Sequence, residues 1–87
     1  MDVSNTVHEK QLQIFCKAGV IEYLRLSPAE RANKVGYELW VKSKLNENEI
    51  LMISHGTKAS RLWISLDRAV RHFRDSYNYH GRIYLDI

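Results

Sequence analysis

The sequence predicts a small α+β domain in the order helix, three strands, helix, strand, with an antiparallel sheet carrying both helices on one face. Three observations predict it. Apolar residues between 66 and 77 recur at helical spacing, and those between 37 and 43 alternate with polar ones. The chain has 87 residues, 45% of them apolar, which is enough for one core and too little for two. A single domain spanning 1–87 follows, with residues 1–5 expected to be flexible.

The first helix begins near Thr6-Val7-His8-Glu9, which has the form of a capping box, with Ser4 and Asn5 as competing caps. Val7, Leu12, Ile14, Phe15, Cys16 and Ala18 spread over about half of its circumference. Glu9, Lys10, Gln13 and Lys17 gather opposite. Gly19 is a natural stop, because it takes the left-handed conformation that ends a helix. Residues 20–26 are rich in Val, Ile and Tyr and read as a strand. The alternative is a helix continued through Gly19, at about 1 kcal/mol for the glycine.

Ser27-Pro28-Ala29-Glu30 has the form of a helix start. The polar residues after it leave room only for a single turn or a loop. In 37–43, Tyr37, Leu39 and Val41 point one way, and Glu38, Trp40 and Lys42 the other. Residues 49–54 form the next strand, joined to it by the polar turn Lys44-Leu45-Asn46-Glu47-Asn48 as a hairpin. Arg61-Leu62-Trp63-Ile64 is a short extended link. Ser65 then caps the second helix, with Asp67 in its first turn. Leu66, Ala69, Val70, Phe73 and Tyr77 form that helix's apolar stripe. Gly81 ends the unit, and residues 82–87 close as a strand. The sheet face away from the helices exposes Trp40, and Leu51 and Ile53 beside it.

Composition excludes several classes. Nine aromatics and a net charge of +3 do not fit a disordered chain. The apolar runs are far too short to span a membrane. The first eight residues do not resemble a signal peptide. One cysteine makes no internal disulfide, so a reducing cytoplasm is the expected location.

No catalytic constellation can be assembled, and neither enzyme activity nor a cofactor is expected. Cys16 lies in the apolar arc of the first helix, as a small hydrophobe would. His8, His55, His72 and His80 lack metal-ligand spacing, and His72 with Asp75 offers two ligands at most. The loop 54–61 has hydroxyls and cations but one glycine, and it does not match a phosphate-binding loop.

Two features remain. From Lys58 to Arg74 there are five Lys or Arg against one acid, Asp67. Lys58, Arg61, Arg68, Arg71 and Arg74 would track phosphates in a nucleic-acid-binding protein. Against this, Arg71 can pair with Asp75 at i, i+4. The second feature is aromatic excess: Tyr23, Trp40, Trp63, Tyr77, Tyr79 and Tyr84 exceed what so small a core hides. Trp, Tyr and Arg anchor protein interfaces. The candidate contact residues are therefore Trp40, Trp63, Arg71, Arg74 and Tyr84. If the C-terminal strand lies at an edge, it offers pairing with a partner or a second copy, and so a homodimer.

The hairpin before Gly56, the stretch Arg61-Leu62-Trp63-Ile64-Ser65-Leu66-Asp67-Arg68-Ala69-Val70-Arg71-His72-Phe73-Arg74 and the closing Arg82-Ile83-Tyr84-Leu85-Asp86-Ile87 carry a resemblance. They resemble small plasmid-encoded partition-associated (ParC-like) proteins over about half of the chain. Here the helix carries more Arg, and Tyr77-Asn78-Tyr79-His80 departs from the pattern. The resemblance implies an accessory protein of a plasmid or other mobile element, without catalysis, and transfers no functional residue. Three readings follow: a non-catalytic protein acting through protein–protein contacts, a nucleic-acid-binding accessory protein, and an inhibitor of a host or phage nucleic-acid enzyme. The third is opposed by charge, since a mimic of DNA would be acidic.

Overall fold

The computed structural model describes residues 6–53 and 61–86, with Arg31 described by its backbone alone. The elements run β1 (Thr6–His8), α1 (Glu9–Ala18), β2 (Ile21–Arg31), β3 (Lys34–Ser43), β4 (Ile50–Ile53), α2 (Leu66–Asp75) and β5 (Ile83–Leu85). They form one five-stranded sheet in the order β1-β4-β3-β2-β5. Both helices contribute to one core cluster on one sheet face: Leu12 from α1, Ala69 and Phe73 from α2. The predicted α+β class therefore holds.

The sheet is mixed, which corrects the antiparallel expectation. β2, β3 and β4 are antiparallel neighbours, but β1 runs parallel to β4 and β5 parallel to β2. The reason lies in the connections. α1 separates β1 from β2 and α2 separates β4 from β5, and a helical crossover returns the chain to the end where it began, so the strands it joins run parallel. Among the described residues no helix is long and apolar enough to cross a membrane.

β1 occupies residues expected to cap the first helix. His8 is the actual N-cap, and Gln11, not Glu9, closes the first turn by accepting from the His8 amide at 3.3 Å. This shift frees Glu9 for another task. Gly19 ends α1 at φ 73°, as its sequence position predicts. Residues 21–26 of the stretch 20–26 fall in β2, not in a longer helix.

Residues 27–34 are the clearest departure. The expected turn or loop is instead the end of one long hairpin, β2 with β3, paired continuously from Tyr23–Lys42 to Arg31–Lys34. Ala32 and Asn33 close it with φ of 51° and 67°, the geometry of a two-residue type I′ turn. Pro28 is tolerated because it lies where β2 becomes an edge. β5 is bonded to β2 through Leu24 N–H to the Arg82 carbonyl and Asp86 N–H to the Leu26 carbonyl. The next rung of a parallel ladder would need an N–H at residue 28, and proline has none. The β3–β4 hairpin does form, though its named pairs are only Trp40–Leu51 and Val41–Ile50.

The link after residue 60 adds a single bridge: Trp63 exchanges both backbone bonds with Tyr37, at 2.7 and 2.8 Å. Gly36 makes this approach feasible. A Cβ there would meet the Trp63 carbonyl oxygen at 2.8 Å. Ser65 caps α2 by accepting from the Arg68 amide. The helix stops at Asp75, earlier than Gly81, and Asn78 at φ 54° turns the chain back. Tyr77 and Tyr79 fold under and are buried. The expected flexibility of 1–5 and the loop starting at 54 lie outside the described residues, as does Ile87.

Candidate interaction surface

Register decides which side chains share the face that the helices leave open. Leu24, Leu26, Leu39, Val41, Ile50 and Met52 point into the core. Their neighbours along each strand point the other way. One rung crosses the whole sheet: Tyr84 of β5 beside Arg25 of β2, then Trp40 of β3, Leu51 of β4 and Thr6 of β1.

Arg25 is the centre of this rung. Its guanidinium lies 5.7 Å from the Trp40 ring centroid and reaches across β3 to Glu49, just ahead of β4. The contact is bidentate, with Nε to Oε2 at 3.0 Å and Nη2 to Oε1 at 2.8 Å. Nη1 turns back to Asp86, beyond β5, at 2.9 Å. Tyr23 donates its hydroxyl to Glu49 at 2.7 Å and packs edge-on against Tyr84, with centroids 5.1 Å apart. One cation thus ties together β5, β2, β3 and the start of β4.

The electrostatics match the geometry. Hydrogen bonds from Arg25 hold the Glu49 carboxyl below its usual pKa. Burial opposes this; the Tyr23 bond and the charges of Arg25 and Lys42 reinforce it. The same bond from the other side raises Arg25. Both charges are fixed at neutral pH. Bidentate Arg–carboxylate geometry under a ring is rigid, so the face is a preformed surface of aromatic and ionic groups.

A second cluster lies on the helix side. Glu9 accepts from His72 Nε2 at 3.0 Å and from the Tyr77 hydroxyl at 2.9 Å through Oε2. Arg61 approaches Oε1 at 3.4 Å and stacks over Trp63, 4.1 Å from its centroid. Burial works against the ionised Glu9, but the bonds from His72 and Tyr77 and the charges of Arg61 and His72 outweigh it, and its pKa is lowered. Burial, with Glu9 beside it, pushes the Tyr77 hydroxyl far above the usual range.

The five predicted contact residues are divided between these regions. Trp40 and Tyr84 come together on the open face, on either side of Arg25. Tyr84 is 44% exposed and Trp40 is half-buried. Trp63 is 7% exposed and packs edge-on against Phe73, so it belongs to the core and presents no ring to a partner. Arg74 donates to the carbonyls of Tyr79 and Gly81, holding the chain after α2 in place. Arg71 is exposed and, among the described residues, pairs with no acid, Asp75 included.

The predicted phosphate-tracking set disperses as well. Lys58 lies outside the described residues. Arg61 and Arg74 are engaged internally, which leaves Arg68 and Arg71 exposed on α2. Cys16 is half-buried against the core, and burial pushes its thiol up to about 11. Among the described residues no three His, Cys, Asp or Glu converge as a metal site would need.

Sequence reasoning did not single out Arg25 or Glu49, counted Tyr23 only in the aromatic excess and gave Glu9 only a capping role. Arg25 and Glu49 are 24 residues apart and Glu9 and His72 are 63 apart. No local pattern links such pairs. Searches against family models, curated proteins and solved structures find no match to this chain.

Proposed function

We propose that this chain is a small non-catalytic binding protein, of the kind carried by plasmids and other mobile elements, that acts through protein–protein contacts on its open sheet face. The observation that carries this reading is the rung Tyr84–Arg25–Trp40–Leu51 on the face that carries no helix. Aromatic and Arg side chains on a rigid support lose little entropy on binding and supply the anchors that interfaces favour. Arg25, Glu49 and Asp86 are already paired with one another, so a partner need not neutralise a bare charge at the centre of the rung. A second copy is one such partner, because β5 ends the sheet and is an edge strand. The nucleic-acid reading has less behind it, with Arg68 and Arg71 as its freely exposed cations among the described residues.

Site-specific photo-crosslinking in the producing cell tests the reading. A crosslinker at position 40 or 84 is expected to capture a protein, including a second copy of the chain. The same group at position 71 serves as the control. Capture from 71 alone, or of nucleic acid alone, would overturn the open-face assignment.

A further inference from the structure

We infer that a cleft at the start of α2 is a binding site for a phosphate group. Arg61, Trp63, Ser65, Arg68 and His72 line it, together with Leu62 and Ile64, around a volume of about 380 Å³. That lies within the roughly 300–1,000 Å³ of sites for small ligands.

Two guanidinium groups and the start of a helix meet there. Arg68 is exposed and forms no ion pair among the described residues. Arg61 is held to Glu9 only at 3.4 Å, looser than the roughly 2.7–2.9 Å of a strong charge-assisted bond, so it can be shared with an arriving anion. His72 lines the cleft, 30% exposed, with its Nε2–H already given to Glu9. Ser65 caps the helix, whose first-turn amides carry the positive end of its dipole.

A further observation points to a missing acceptor. Trp63 is more than nine-tenths buried, and its Nε1–H has no hydrogen-bond partner. Leaving such a buried donor unmade carries the desolvation penalty of the group uncompensated. This residue forms part of the cleft wall. Nε1 itself is closed to solvent, but Arg61 stacks on the same indole, 4.1 Å from its centroid, so an anion held by that guanidinium changes the surroundings of the ring. Two acids oppose the site. Glu9 sits behind Arg61 and His72, and Asp67 shares the first turn of α2; neither lines the cleft. The inference does not rest on the open-face reading, and its failure would leave that reading untouched.

The test is a titration followed by the indole N–H signals in ¹H–¹⁵N correlation spectra. The chain has two tryptophans, and Trp40→Phe assigns the signal of Trp63. Pyrophosphate and a short single-stranded oligonucleotide are the two probes. Saturable movement of the Trp63 signal is expected with at least one of them. Pyrophosphate alone sufficing assigns the site to small phosphorylated ligands; a response only to the oligonucleotide assigns it to phosphates along a strand. Arg68→Gln, an exposed change that leaves the core intact, is expected to weaken the response about tenfold. Arg71→Gln, outside the cleft, is expected to leave it unchanged. A Trp63 signal that neither probe moves, or one that moves equally in Arg68→Gln, overturns the inference.

Discussion

The two ionic clusters are built as inverses of one another. On the helix side one carboxylate, Glu9, is held by His72, Tyr77 and Arg61. On the open face one guanidinium, Arg25, is held by Glu49 and Asp86. In each, an arginine lies over a tryptophan, at 4.1 Å for Arg61 on Trp63 and 5.7 Å for Arg25 on Trp40. The difference is what lies beneath. Trp63 and Tyr77 are core residues, so the Glu9 cluster seals the helix layer to the start of the chain. Trp40 has solvent on its other side, so the Arg25 cluster shapes a surface. The same contact type therefore lies in the core in one place and at the surface in the other, and burial decides which.

The largest expected difference comes from removing the two indoles. Trp63→Ala should lower unfolding free energy by about 3–5 kcal/mol, the cost of emptying a packed aromatic site. Trp40→Ala should cost only about 1–2 kcal/mol, because half of its surface is gained from neighbours and the rest is already wet. Equal losses in urea denaturation would erase the distinction between the two regions.

Removing the central ion comes next. Glu9→Ala strands the hydroxyl of Tyr77, a residue that is 1% exposed as a whole, and should cost about 1–3 kcal/mol. Arg25→Ala leaves Glu49 partly solvated and should cost about 1 kcal/mol or less. A larger loss at Arg25 than at Glu9 would mean that the open face carries the fold.

Acid titration sharpens the comparison. Glu9 and Glu49 both have lowered pKa values in the folded chain. A depressed carboxylate adds stability that is fully present above its unfolded pKa and is lost as pH falls through its folded one. Thermal unfolding followed from pH 7 to pH 3 should therefore show stability declining below about pH 5. Glu9→Gln and Glu49→Gln should each flatten the decline. If both leave it unchanged, neither cluster is the source of acid sensitivity.

Salt has the smallest expected effect. Raising ionic strength to about 1 M shortens the screening length to roughly 3 Å. The Arg25–Asp86 pair, with Asp86 57% exposed, should weaken first. The stability difference between the native protein and Arg25→Ala should narrow by a few tenths of a kcal/mol. The corresponding Glu9→Ala difference should hold, because the Tyr77 bond is shielded.

Much of the fold was legible because it is local. Leu66, Ala69 and Phe73 specify α2 by spacing alone, Ser65 marks its start, and Gly19 marks the end of α1. Alternation places Trp40 opposite Leu39 and Val41 without any knowledge of the sheet. What misled the reading of 27–34 was also local: Ser-Pro-Ala-Glu matches a helix start and Ala32-Asn33 lacks the glycine typical of a type I′ turn. The long β2–β3 ladder supplies enough pairing to hold Ala32 at a positive φ that it would not choose alone. The candidate face was half legible. Trp40 and Tyr84 were named, but Arg25 and Glu49, which join them, become neighbours only through register.

The sequence by itself determined the two helices, the strand segments around 21–26, 37–43, 50–53 and 83–85 and the one-core size, because periodicity and capping act over a few residues. The tertiary structure alone decided that β1 and β5 run parallel to their neighbours, that Trp63 is core while Trp40 is surface, and which acid meets which base. Those outcomes depend on strand order and register between residues up to 68 positions apart. Burial, set by that packing, then fixes what each charge is worth.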